Sequence, residues 1–227
     1  MNRLETMKTK TAQLDEPTNG STVAVAPPPA RIRAKADKED KPVGVDIPQL
    51  AIDFLRFKVV GDSQLVCHAW DPKAVQMMLD KQTMKAKQGK EAKDPEACYL
   101  GSLYKMDDGR YGFPARAFKA AAVDACSHVQ GITKVLARGA FHVVGDLVLI
   151  DGAPRMRQDM VRVGMGTADI RFRGEFPEWS CELLVRYNKN VISTNQIINL
   201  FNVAGFAIGV GEFRPEKNGS WGMFHVS

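Results

Sequence analysis

The strongest constraint on the fold is a strand followed directly by an amphipathic helix near the end of the chain. The segment "WSCELLVRY" (179–187) predicts a strand, and "STNQIINLFNVAGF" (193–206) carries apolar side chains at helical spacing behind a Ser193 or Thr194 cap. The folded part begins in a similar way, because "LAIDFLRFKVV" (50–60) predicts a strand that precedes helical segments. Strand, helix and strand at both ends predict an α+β fold, a ferredoxin-like or RRM-like antiparallel sheet with helices on one face and insertions.

Several further elements follow from local patterns. Pro72, behind an Asp71 cap, predicts one helix start, and Pro114 predicts another. "QLVCHAW" (64–70) predicts a strand, and "AFHVVGDLVLI" (140–150) predicts a hairpin that turns at Gly145 and Asp146. The chain is expected to close with strands at 207–213 and 221–226.

The N-terminal segment differs in composition from the rest. Residues 1–46 mix charged and polar residues with "APPPARIRAKADKEDKP", which cannot bury enough apolar surface to offset the entropy lost on ordering. We therefore expect a disordered arm over residues 1–46 and one domain over residues 47–227, with a basic insertion around residues 152–175.

Charge and composition narrow the function classes. The net charge of +5 favours a polyanionic partner. The four cysteines show no CxxC spacing, so the sequence predicts neither a zinc site nor a disulfide framework. No other metal site and no cofactor are expected. The chain has no apolar run of membrane-spanning length and no secretory signal pattern, which predicts a cytoplasmic protein without a membrane partner.

The glycine-rich segment "GFAIGVGEFRPEKNGSWGMFHVS" (205–227) leaves two interpretations open. Its glycines could let backbone N–H groups and the side chains of Arg214 and Lys217 approach a sugar-phosphate chain. Alternatively, "PEKNGS" (215–220) is a plain hairpin turn with Arg214 on the surface. The segment matches neither a P-loop nor a dinucleotide-binding fingerprint, so a nucleoside triphosphate pocket is not expected.

Two stretches resemble the RAMP superfamily, the RRM-like subunits of CRISPR effector complexes. "YGFPARAFKAAAVDAC" (111–126) resembles that family's strand, proline and basic helix element, and "GVGEFRPEKNGSWGMFHV" (209–226) resembles its C-terminal glycine-rich loop. The stretches "KVLARGAFHV" (134–143) and "MVRVGMGTADIRFRGEFPEW" (160–179) also look like small phage and prophage proteins. The resemblance implies a divergent, phage- or prophage-encoded relative in the cytoplasm of a bacterial host, which binds single-stranded RNA or DNA as a homo-oligomer or filament.

The resemblance and the charge pattern together define candidate nucleic-acid-binding residues. On the predicted helix and in the glycine-rich loop they are Arg116, Lys119, Arg214 and Lys217, and in the basic insertion they are Arg155, Arg157, Arg162, Arg171 and Arg173. Such side chains would attract phosphate with little base discrimination. The aromatics Tyr111, Phe113, Phe172 and Trp221 could stack on bases or belong to the core.

No catalytic residues are predicted. The four histidines lie outside metal-binding spacings, and Cys67 and His68, as neighbours on a strand, would point to opposite faces. A non-catalytic protein that coats or scaffolds nucleic acid is therefore the leading hypothesis. The alternatives are a phage structural or assembly protein that forms homo-oligomers, and a metal-dependent nuclease that uses Asp159, Asp169 or Glu175.

Overall fold

The computed structural model describes residue 44 and residues 47–70, 72–84, 92–164 and 166–227. The predicted arm, apart from residue 44, and the predicted Asp71 cap lie outside these residues. Residues Pro48–Ser227 form one compact unit. Its strands are β1 (Ile52–Gly61), β2 (Leu65–Val66), β3 (Tyr104–Lys105), β4 (Tyr111–Pro114), β5 (Phe141–Val143), β6 (Leu147–Asp151), β7 (Arg155–Val163), β8 (Thr167–Phe176), β9 (Ser180–Asn188) and β10 (Phe224–Val226). Its helices are α1 (Pro72–Gln82), α2 (Pro95–Ser102), α3 (Ala115–Ala125), α4 (Lys134–Ala140) and α5 (Thr194–Ala207).

The larger sheet contains a ferredoxin-like core. Its strands lie in the order β10-β1-β9-β6, and each neighbouring pair is antiparallel. Along the chain, α3 lies between β1 and β6, and α5 lies between β9 and β10. This β-α-β-β-α-β connection in an antiparallel sheet is the ferredoxin-like arrangement. The predicted α+β class is confirmed.

The core lies between this sheet and the two helices. In β1, Phe57 and Val59 are buried, whereas Ile52 and Phe54 on the alternate positions are exposed. The ring of Phe57 meets that of Phe201 from α5 at 5.1 Å. The start of α5 is fixed by Ser193, one of the two caps that the sequence left open, whose hydroxyl accepts from the Gln196 N–H in a capping box.

The remaining strands are insertions into this core. Strand β4 pairs with the outer edge of β6, and β3 pairs with β4. Between β6 and β9 the chain forms the β7-β8 hairpin, which joins β2 in a separate small sheet of order β2-β8-β7. This hairpin occupies the segment where the sequence predicts a basic insertion.

Three local predictions are corrected. The stretch at 140–150 does not form a hairpin, because β5 and β6 both pair with the long strand β9, β5 opposite Val185–Tyr187 and β6 opposite Ser180–Cys181. Residues 207–213 are not a strand, since α5 continues to Ala207 and the next residues bend at Gly209, Gly211 and Phe213, all with positive φ. The strand predicted at 64–70 is limited to Leu65–Val66.

None of the helices in the described ranges combines the length and the apolar character that crossing a bilayer requires.

Candidate nucleic-acid interface

The β7-β8 hairpin presents two chemically different faces. Arg157 pairs with Arg173 across the hairpin and Asp159 pairs with Arg171, so these side chains share one face. Arg162 lies opposite Ala168 and is out of phase with them, which places it on the other face. The register therefore separates Arg162 from the other four predicted arginines.

The charged face of the hairpin is held together by ion pairs. The Glu175 side chain, only 4% exposed, accepts hydrogen bonds from Arg155 Nε and Arg157 NH1, each at 2.8 Å. Burial alone would raise the pKa of Glu175, but these two guanidinium groups outweigh it and lower the pKa. Arg157 Nε also donates to Asp159 at 2.8 Å, and Arg171 lies 3.6 Å from Asp169. These arginines have carboxylate partners before any ligand binds.

The glycine-rich segment is a closely packed irregular loop rather than a plain hairpin turn. Gly222 has φ +65°, and a Cβ there would come within 1.7 Å of the Val210 carbonyl oxygen. Only glycine allows this crossing of the two chain segments, which are joined by a hydrogen bond from Val210 N to Gly222 O. The residues between them form a short 3₁₀ turn, Pro215–Lys217. The glycines therefore hold Phe213, Arg214 and Lys217 against the sheet domain.

One cleft lies between this loop and the hairpin. We call it the aromatic cleft; its volume is about 550 Å³, and its lining residues are Asp159, Met160, Val161, Arg173, Glu212, Phe213, Arg214, Lys217 and Trp221. The guanidinium carbon of Arg157 lies 4.1 Å from the centroid of the Trp221 ring, and Trp221 meets Phe213 edge-on at 4.9 Å. The hairpin and the loop thus form opposite walls of one site.

A second cleft lies beside the start of α3. We call it the helix cleft; its volume is about 450 Å³, and its lining residues are His68, Tyr104, Phe113, Pro114, Arg116, Ala117, Ala120, Gly211, Glu212 and Arg214. Glu212 and Arg214 line both clefts, so the two clefts adjoin. Glu212 lies 3.0 Å from His68 Nδ1 and 3.7 Å from Arg173 NH2. The hydrogen bond from His68 and the positive charge of Arg173 lower the pKa of Glu212.

Four of the nine predicted site residues line these clefts, namely Arg116, Arg173, Arg214 and Lys217. Lys119 does not line them; its ammonium group contacts the Arg138 carbonyl and His142, and burial lowers its pKa. Arg155, Arg157, Arg162 and Arg171 are not lining residues either, although Arg157 supports the Trp221 ring.

The predicted aromatic residues also include some that belong to the core and one that lines the aromatic cleft. Phe113 is buried in the core, and Tyr111 packs edge-on against Phe176. Trp221 lines the aromatic cleft, and Phe213, which the sequence analysis did not select, lines it with half of its surface exposed. Phe213 was missed because it lies in a predicted strand, where an aromatic residue is usually core.

His68 and Glu212 were also missed. They are separated by 144 residues in the chain, and no local spacing brings them together. Within the described ranges, no three His, Cys, Asp or Glu residues are grouped so that they could hold a metal ion.

Comparison with solved structures gives remote matches, two of which are described here. No family model and no curated protein matches the chain. Cmr6 from Pyrococcus furiosus aligns with a TM-score of 0.39 and 11% identity, over 79% of this chain and all of that chain. A chain of the Type III-B Cmr-beta complex bound to cognate target RNA aligns with a TM-score of 0.43 and 10% identity, over 78% of this chain and 59% of that chain. Both TM-scores are below 0.5, so neither match says more about the fold of this chain than its own strand order does.

Proposed function

We propose that the protein binds single-stranded RNA or DNA along the two adjoining clefts, through its phosphates and largely without sequence preference, and does not cleave it. The observation that carries this proposal is the convergence of Arg116, Arg173, Arg214 and Lys217, from three distant segments, around clefts that also contain Phe213 and Trp221. Cations for the backbone beside aromatic rings for unstacked bases are the combination that single-stranded nucleic acid requires.

Two of these cations are available for a phosphate. Arg116 is exposed, and within the described part of the chain no carboxylate lies within 4 Å of it. The side chain of Lys217 is 61% exposed, and its contact with Glu216 is 3.7 Å long. Arg214 is more strongly committed, because it donates to Glu216 and to the Gly211 carbonyl. The sequence resemblance to RAMP proteins agrees with this function.

The test is equilibrium binding of a fluorescent single-stranded oligonucleotide, with the matching duplex as the comparison. We expect tighter binding of the single strand, similar affinities for different sequences, and a linear decrease of log K with log salt concentration. Equal affinity for the duplex, or no binding of the single strand at low salt, would contradict the proposal.

Light scattering with and without the oligonucleotide tests whether the protein forms a multimer on the strand. Assembly that depends on protein concentration and occurs without nucleic acid would instead favour a structural protein. Incubation of labelled RNA and DNA with and without divalent cations tests the proposed lack of cleavage.

A further inference from the structure

The aromatic cleft contains polar atoms that the protein leaves unsatisfied. Arg173 Nε and Asp159 Oδ2 are both buried, and neither has a hydrogen-bond partner in the described part of the chain. Both residues line the cleft, and Arg173 as a whole is only 8% exposed. A buried donor or acceptor without a partner is costly, and most such groups in proteins are satisfied.

The two side chains lie close to each other without satisfying each other. Arg173 NH1 is 3.7 Å from Asp159 Oδ2, which is too long for a hydrogen bond. The second carboxylate oxygen, Asp159 Oδ1, already accepts from Arg157 Nε at 2.8 Å. One buried acceptor and one buried donor of the lining residues therefore remain without a hydrogen-bond partner.

Phe213, which lines the wall of the cleft, has an uncommon backbone conformation. Phe213 has φ +48° and is half-exposed. Its carbonyl accepts from Trp221 N at 3.1 Å, and a Cβ on Gly219 would come within 1.7 Å of the same oxygen. The surrounding loop thus holds Phe213 in the left-handed region, where a bulky residue is strained.

We propose that the aromatic cleft holds one unstacked nucleobase of the bound strand, with its ring against Phe213 and its edge at Arg173 and Asp159. This inference rests on the proposed function and specifies one contact within it. The cleft volume of about 550 Å³ falls in the usual range for small-molecule sites. Each nucleobase has a hydrogen-bond donor next to an acceptor on its pairing edge, which matches the two unsatisfied atoms. Lys217, on the lining of the same cleft, would contact the adjacent phosphate.

The experiment compares two chains of equal length, an oligouridylate of about 12 nucleotides and the same ribose-phosphate chain without bases. Wild-type protein is expected to bind the oligouridylate more tightly. Phe213→Asn removes the ring, and asparagine tolerates the left-handed backbone, so the variant should fold. We expect it to lose roughly tenfold in affinity for the oligouridylate while its affinity for the base-free chain is unchanged. Phe206→Ala, at an exposed phenylalanine of α5 that does not line the cleft, is the matched control.

The outcomes separate the two proposals. If wild-type protein binds neither chain, the proposed function is wrong and this inference falls with it. If wild type binds and Phe213→Asn binds both chains as wild type does, only the base site is wrong.

A second variant tests the edge of the base. Asp159→Asn replaces the free acceptor by an amide of the same size, so the relative affinities for the four homopolymeric RNAs should change by about threefold. Unchanged ratios in a folded variant would overturn the assignment of Asp159.

Discussion

The Arg157 guanidinium lies over the Trp221 ring, with 4.1 Å between the guanidinium carbon and the ring centroid. The two residues belong to different parts of the chain, Arg157 to the β7-β8 hairpin and Trp221 to the glycine-rich loop. Because Arg157 is itself fixed by Asp159 and Glu175, the ring is supported by a preformed ion-pair cluster. The position of the loop therefore depends on the hairpin.

This contact predicts a measurable coupling. In a double-mutant cycle with Arg157→Gln and Trp221→Leu, we expect the two losses of unfolding free energy to be non-additive by about 0.5–2 kcal/mol, the range for a cation–π contact. Urea denaturation of the four proteins provides the measurement. Arg157→Gln combined with Phe54→Leu, at an exposed position of strand β1, is the control and should be additive within about 0.5 kcal/mol. Additivity in both cycles would show that the hairpin and the loop are energetically independent.

Glu175 predicts a pH-dependent contribution to stability. We expect Glu175→Gln to lower the unfolding free energy by about 1–3 kcal/mol at neutral pH, because the buried carboxylate accepts two charge-assisted hydrogen bonds. The folded-state pKa is lower than the unfolded value, so this contribution is present above the unfolded pKa and is lost as the pH falls through the folded pKa.

The difference between wild type and Glu175→Gln should therefore shrink below about pH 4.5, the ordinary pKa of this group. Chemical denaturation at a series of pH values measures it. A difference that grows on acidification would mean that Glu175 is protonated in the folded protein.

The sequence predicted the ferredoxin-like core but not the geometry of the site. Strand β9 and helix α5 are long, have clear periodicity and carry a recognisable cap, so local patterns were sufficient. The pairing of β5 and β6 was missed because both strands pair with the same edge of β9, at different positions along it, and no local turn signal encodes that arrangement. The end of α5 was missed because apolar residues around 207–213 fit a strand as well as a buried loop.

In the candidate site, too, some features could be predicted from the sequence and others could not. The sequence predicted that Asp159, Asp169 and Glu175 pair with arginines of the basic segment, as they do, but it could not predict which carboxylate pairs with which arginine. Arg155 and Arg157 share Glu175, which lies 20 and 18 residues away respectively, only because the hairpin register brings them together. Arg162 was grouped with its neighbours in sequence, although the strand period places it on the other face.

Helix α5 offers a test of the core. Phe201 is fully buried against Phe57 and Phe141, whereas Phe206 on the same helix is 74% exposed. We expect Phe201→Ala to cost about 3–5 kcal/mol of unfolding free energy and Phe206→Ala less than about 0.5 kcal/mol. Thermal or urea denaturation distinguishes the two variants. Similar losses for both would mean that α5 is rotated relative to the sheet.

Arg116 provides the sharpest test of the nucleic-acid interface, because it is exposed, lines the helix cleft and makes no carboxylate contact within the described ranges. We expect Arg116→Gln to weaken binding of single-stranded oligonucleotides about fivefold at low salt, by a similar factor for every sequence. The slope of log K against log salt concentration should decrease in magnitude by about 0.7, the value for one lost phosphate contact on a single strand.

Lys189→Gln is the control for Arg116→Gln, since it removes the same charge from an exposed position directly after β9 that lines neither cleft. The control should leave the salt slope close to that of wild type. If both variants lower the affinity and the slope equally, the protein attracts nucleic acid through its net charge alone. In that case the clefts have no particular role in binding, since a general electrostatic attraction does not depend on where the cation lies.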